Sequence, residues 1–87
     1  MYVILVYDVS VERVSKVCQY LRKYMNWMQN SVFEGELTKS EFREIELGLK
    51  NILNLEEDSV LIYIVRSEKA LKKKTIGIKK VEPSVII

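Results

Sequence analysis

No histidine occurs anywhere in this sequence, and Cys18 is its single cysteine. Those absences remove the Ser-His-Asp and Cys-His nucleophilic arrangements and a zinc site built from histidine and cysteine. The only glycines are Gly35, Gly48 and Gly77, so neither a GxGxxG turn nor a Walker loop exists. A lone cysteine excludes an intramolecular disulfide and suits a cytoplasmic protein. No apolar run approaches the ~20 residues needed to cross a bilayer, and the amino terminus lacks the basic segment that opens a signal peptide. Any hydrolytic chemistry must therefore draw on carboxylates with a hard metal, or on a general base of another type.

What remains is a chain of 87 residues, 48% hydrophobic and 30% charged, which is the composition of one compact domain. Its charge is uneven. Residues 1–66 carry eight basic and ten acidic side chains, whereas residues 67–87 carry six basic and two acidic. We divide the domain accordingly into a core, 1–66, and a basic linker with a terminal strand, 67–87. The run "KALKKKTIGIKK" fits two readings: a polyanion-binding segment, with Lys72, Lys73 and Lys74 as phosphate contacts, or a solvated terminus. Lysines in such a run act as point charges on phosphates and not as bidentate base readers.

The hydrophobic pattern predicts the order of elements. Residues 2–8 are rich in β-branched and aromatic side chains and read as a strand. Val11, Val14, Cys18, Leu21 and Met25 recur at helical spacing, predicting a helix over 11–25. Residues 27–37 read as extended, either one bent strand or two broken near Asn30-Ser31, with Gly35 marking a bulge and Glu34 and Glu36 facing solvent. Thr38 and Glu41 form the T-x-x-E capping box of a second helix reaching Leu53, with Phe42, Ile45, Leu49 and Ile52 inward. "SVLIYIV", 59–65, is an unbroken apolar run and predicts a central strand. A further strand is expected at Thr75–Ile78, and "SVII" ends the chain. This order is the split βαβ pattern of an α+β, ferredoxin-like βαββαβ sandwich with a C-terminal strand extension. Two helices on one face leave the other uncovered, so a homodimer stacking sheet on sheet is expected, with Val85, Ile86 and Ile87 pairing at the partner's sheet edge.

One carboxylate stands out. Asp8, one of only two aspartates, closes the first apolar run in "VILVYDVS". From the residues alone it reads first as a helix cap or turn residue, a job Ser10 could share, and second as a metal ligand. Cys18, on an apolar stripe without a base nearby, reads as a small buried hydrophobe.

Three segments carry a resemblance: "YVILVYDV" at 2–9, "MQNSVFEGELT" at 28–38 and "EEDSVLIYIV" at 56–65. Together they resemble the small CRISPR-associated adaptation protein family, the smaller of the two near-universal proteins that insert new spacers into CRISPR arrays, whose members are described as CRISPR-associated endoribonucleases. The likeness covers nearly the whole chain. It implies a ferredoxin-like homodimer in which two copies of Asp8 face each other across the twofold axis and hold one Mg²⁺. It implies metal-dependent cleavage of single-stranded RNA or duplex DNA, with Ser31 near the aspartates as a second catalytic candidate, its hydroxyl orienting a water or a phosphate oxygen. It also implies a role without catalysis, bridging dimers of the adaptation integrase around spacer DNA.

The chain departs from the family pattern where many members carry an arginine two residues before Gln29; here that residue is Trp27. The first helix also lacks the adjacent arginine pair that often follows the aspartate, leaving Arg13 and Lys16 as the nearest phosphate contacts. Three functions stay in play: a Mg²⁺-dependent nuclease, a catalytically silent scaffold binding nucleic acid and integrase, and a ferredoxin-like toxin-type or regulatory domain outside CRISPR. The first two predict binding to RNA or DNA, and none involves a membrane.

Overall fold

The computed structural model describes residues 1–80. Val85, Ile86 and Ile87, the expected dimer-pairing residues, lie outside the described residues. Strand β1 (Tyr2–Asp8) leads into helix α1 (Val11–Leu21), then a hairpin of β2 (Asn26–Gln29) and β3 (Val32–Glu36). Helix α2 (Lys39–Ile52), strand β4 (Ser59–Val65) and a single 3₁₀ turn at Glu68–Ala70 follow. The four strands form one antiparallel sheet in the order β2-β3-β1-β4. This is the ferredoxin-like arrangement that the element order predicts.

Alternation along β1 creates the two faces of the sheet. Val3, Leu5 and Tyr7 point at the helices and are buried, together with Phe33 from β3, Val17 and Leu21 from α1, and Ile45 and Leu49 from α2. Tyr2, Ile4, Val6 and Asp8 point the other way. The ladder places Leu61 beside Val6 and Tyr63 beside Ile4 on that opposite face, where both are about half exposed (53% and 52%). The apolar run of β4 is therefore an edge strand, not the expected central one. Its hydrophobicity serves a sheet face on which Leu61 and Tyr63 stay half exposed, and a run of apolar letters does not reveal which neighbour covers it.

Local chemistry explains the element ends. Thr38 Oγ1 accepts the Glu41 amide at 3.0 Å and Glu41 Oε1 accepts the Thr38 amide at 2.9 Å, completing the capping box. Such a cap stabilises a helix by about 1 kcal/mol. Helix α1 stops at Leu21, short of the expected residue 25. Met25 still enters the core, because its amide returns to Leu21 O at 2.9 Å after a tight turn. The buried stripe is also rotated from the expected one: Val17 is fully buried, while Val11 is 86% exposed. Asn30, at φ 41°, turns the β2–β3 hairpin, and its carbonyl accepts the Trp27 indole N–H at 3.0 Å. The bulge lies in β2 between Trp27 and Gln29, whereas Gly35 pairs regularly with Val3. Where the helices meet, Tyr20 lies against Gly48. A Cβ there would sit 2.0 Å from the phenol oxygen, which donates to Glu44 O at 2.7 Å. No strand forms over Thr75–Ile78, where Ile76 and Ile78 are largely exposed. This short stretch, lying between lysines, finds no sheet edge among the described residues.

Candidate functional site

Asp8 ends the central strand on the open face of the sheet, opposite Ser59 of β4. The side chain is exposed, and its carboxylate accepts no hydrogen bond and joins no ion pair among the described residues. The helix-cap reading fails on geometry. The N-cap position belongs to Ser10, whose hydroxyl makes no capping bond, while its carbonyl accepts the Arg13 amide at 2.9 Å. Ser31 does come to the same end of the sheet: its carbonyl accepts the Tyr7 amide at 3.1 Å, one residue before Asp8. Below this rim the open face is apolar, with Val6, Leu61 and Val32 in one row.

Among the described residues, no group of three or more histidine, cysteine or acidic side chains could hold a metal ion. One chain contributes one carboxylate, with Ser59 as its cross-strand neighbour. Such oxygen donors suit a hard cation that keeps much of its water shell. An exposed carboxylate with no partner, on the rim of an apolar face, fits Mg²⁺ provided that a second copy completes the ligand set.

The second aspartate has the opposite environment. The Asp58 side chain is fully shielded from solvent. It accepts the Ser10 amide at 2.9 Å, the Asn54 amide at 2.9 Å and the Arg13 guanidinium through two nitrogens, one at 3.0 Å. Glu57 and Glu12 take further Arg13 hydrogens. Hydrogen bonds from Arg13 hold the Asp58 carboxyl well below the usual carboxylate range; burial opposes this, and the Ser10 and Asn54 amides add to it. The same bonds, first to Asp58 and then to Glu57, raise Arg13 above its ordinary value. Arg13, expected to contact phosphate, thus spends its donors on carboxylates of its own chain. Lys16, one turn further along α1, is exposed.

The three tail lysines are not equivalent either. Lys72 and Lys74 are exposed. Lys73 instead reaches back to the open face, 3.0 Å from Glu34 Oε1 and 3.5 Å from Glu68 Oε2, and its ammonium lies 5.9 Å from the centre of the Tyr2 ring. Glu34 is therefore not solvent-facing: it is 7% exposed and also accepts the Tyr2 hydroxyl at 2.8 Å. Burial and that hydrogen bond push the Tyr2 phenol up to about 12, and the bond to Glu34 raises Lys73. Sequence reasoning missed both anchors, Asp58 and Glu34. The only signal for Asp58 was its place in the E-D-S-V segment directly before β4.

Comparison with known proteins adds the family. Residues 1–73 match the model of the family described as CRISPR associated protein Cas2. The chain is 51% identical over 86 residues to a Methanothermobacter thermautotrophicus protein described as CRISPR-associated endoribonuclease Cas2, covering 99% of this chain and 94% of that one. A Pyrococcus furiosus protein of the same description is 54% identical over 80 residues, 92% of each chain. Among solved structures, a crystal structure of Cas2 superposes with a TM-score of 0.86 at 51% identity, covering 94% of this chain and 92% of the other. Streptococcus pyogenes Cas2, crystallised at pH 6.5, gives 0.73 at 29% identity over 86% of this chain and all of its own. The fold, the segment around Asp8 and a family match over most of the chain agree, and the protein belongs to the Cas2 family of CRISPR-associated proteins.

Proposed function

We propose that this protein works in CRISPR adaptation as a homodimer that cleaves phosphodiester bonds in single-stranded RNA or duplex DNA, using Mg²⁺ held between the two Asp8 carboxylates. The observation that carries this reading is the placement of Asp8: an exposed carboxylate without a partner among the described residues, on the rim of an apolar sheet face. Two sheets stacked through Ile4, Val6, Leu61 and Tyr63 would remove that face from water and bring two such rims together. Without a cation the paired carboxylates would repel, so each is better held when a divalent ion lies between them. When bound, Mg²⁺ supplies charge to polarise a phosphate oxygen and to acidify a water. The chain's own part is to hold Asp8 at the strand end, to bring Ser31 to the same end of the sheet, and to draw the polyanion in with Lys16, Lys72 and Lys74. The description of its relatives as endoribonucleases supports RNA as the first substrate to test.

A second reading is a catalytically silent scaffold that binds nucleic acid and the adaptation integrase. It is favoured by the sparseness of the site: one carboxylate per chain, no histidine, and Trp27 where a basic residue is common in the family. A cleavage assay on highly purified protein, with and without Mg²⁺ and beside Asp8→Asn, separates the two. Mg²⁺-dependent cleavage lost in Asp8→Asn supports the nuclease. Equal cleavage by both proteins, or none by either, sinks it.

A further inference from the structure

Only Val9 and Ser10 separate Asp8 from the start of α1, and Ser10 makes no side-chain cap to steady that junction. The steadying comes from elsewhere. The Ser10 amide donates to Asp58 Oδ1 at 2.9 Å. Asp58 is followed in sequence by Ser59, the cross-strand partner of Asp8. The path Asp8–Val9–Ser10, across the hydrogen bond to Asp58, on to Ser59 and back across the ladder to Asp8 is a closed ring. Asp58 also accepts the Asn54 amide at 2.9 Å, which ties the ring to the end of α2. A shielded carboxylate collecting these bonds needs a countercharge, and the Arg13 guanidinium supplies it in a forked arrangement that a lysine cannot copy.

We infer that Asp58, locked by Arg13, is a positioning residue for Asp8: it closes the ring that fixes the direction in which the Asp8 carboxylate is presented. This rests on the reading that Asp8 carries the activity. It gives Arg13 a task other than phosphate binding and accounts for a buried ion pair set against an exposed site. Misplacing a reacting group by about 1 Å can cost on the order of 10²-fold in rate. Loss of the ring should therefore lower kcat and leave KM, which reports binding at the lysines, nearly unchanged.

The test compares wild type, Asp58→Asn, Arg13→Lys and Asp8→Asn. Backbone amide relaxation of the metal-free proteins reads the ring directly. In wild type Val9 and Ser10 should be as rigid as Leu5, with order parameters of about 0.85. In Asp58→Asn the Val9 and Ser10 values should fall below about 0.6 while Leu5 stays rigid. Arg13→Lys should fall between, and it carries the test if Asp58→Asn does not fold. Steady-state cleavage of single-stranded RNA with Mg²⁺ should show kcat reduced on the order of 10²-fold in Asp58→Asn at similar KM. Val9 and Ser10 remaining rigid in both variants, or becoming mobile with kcat unchanged, overturns the inference. If Asp8→Asn cleaves as fast as wild type, the paired-aspartate reading fails instead, and the relaxation data alone decide whether Asp58 holds the Asp8 junction.

Discussion

The two faces of one sheet obey opposite rules. On the helical face Leu5 and Phe33 are fully buried, and the inward residues of β1, Val3, Leu5 and Tyr7, share one buried cluster with Val17 and Leu21 of α1 and Ile45 and Leu49 of α2. On the other face Leu61 and Tyr63 are half exposed, Asp8 stands at the rim, and Glu34 is buried with Tyr2 and Lys73 bonded to it. The two aspartates repeat the contrast over a short distance. Asp58 is shielded and bonded on all sides, whereas Asp8, paired in the ladder with the very next residue, has no side-chain partner among the described residues. Residue type does not separate them. A carboxylate whose bonds are all made within the chain serves the fold, and one left open can serve a ligand.

Truncating side chains on each face puts the contrast to its hardest test. Phe33→Ala removes a fully buried ring from the helical face and should cost about 3–5 kcal/mol. Tyr63→Ala, on the open face, should cost less than about 1 kcal/mol in dilute monomer and instead weaken self-association. Urea unfolding at low protein concentration, with light scattering at high concentration, measures both. A monomer equally destabilised by the two changes would show that the open face is covered by its own chain.

Metal response is the next largest effect. A cation held by two Asp8 carboxylates binds only the folded dimer, so Mg²⁺ at ten times its Kd should stabilise wild type by about 1.4 kcal/mol. Asp8→Asn should gain much less. Thermal melts in EDTA and in Mg²⁺ decide this, and equal gains in both proteins would remove the shared metal site.

Acid should expose what Asp58 contributes to stability. Asp58 is depressed in the folded state from an ordinary value of 3.8. Its contribution to stability is complete above that value and is lost as pH falls below it toward the folded-state value. Urea midpoints followed from pH 7 down to about pH 2 should therefore drop in wild type, and drop less steeply in Asp58→Asn. The mutant should also start from a lower plateau at neutral pH, because the Arg13 charge is left without its main partner. Parallel acid limbs in wild type and Asp58→Asn would refute the assignment.

The smallest effect sharpens the contrast within the tail. Losing one phosphate contact on duplex DNA changes the log–log salt slope of binding by about 0.9. Lys72→Gln and Lys74→Gln should each approach that change. Lys73→Gln should change it less, because Lys73 is engaged with Glu34 and Glu68. Equal changes at all three positions would mean that nucleic acid pulls Lys73 away from the sheet.

Much of this architecture was legible in the residues. The capping box at Thr38 and Glu41 is a local pattern whose partners lie three residues apart, so no distant contact can alter it. The ends of β1 and β4 and the break at Asn30-Ser31 are equally local. Helix α1 was harder. Its apolar letters allow two overlapping stripes, and the sheet's position selects the one through Val17 and Leu21 over the one through Val11 and Val14. The aspartate at the strand end was visible as a candidate, but that the cap position belongs to Ser10 follows only from the structure.

Composition and spacing alone narrowed the chemistry open to this protein: with no histidine and one cysteine, carboxylates are the candidates for a site, and the order of apolar periods leads to a ferredoxin-like sheet. The tertiary structure alone decided which charged groups are available for that chemistry. Nothing along the chain marks Arg13, Glu34, Asp58 and Lys73 as partners, yet the Tyr2–Glu34, Lys73–Glu34 and Arg13–Asp58 bonds join residues 32 to 45 positions apart. Pairing over such distances depends on how strands and helices are laid side by side. That arrangement is set by the packing of the whole core, not by any residue's neighbours along the chain.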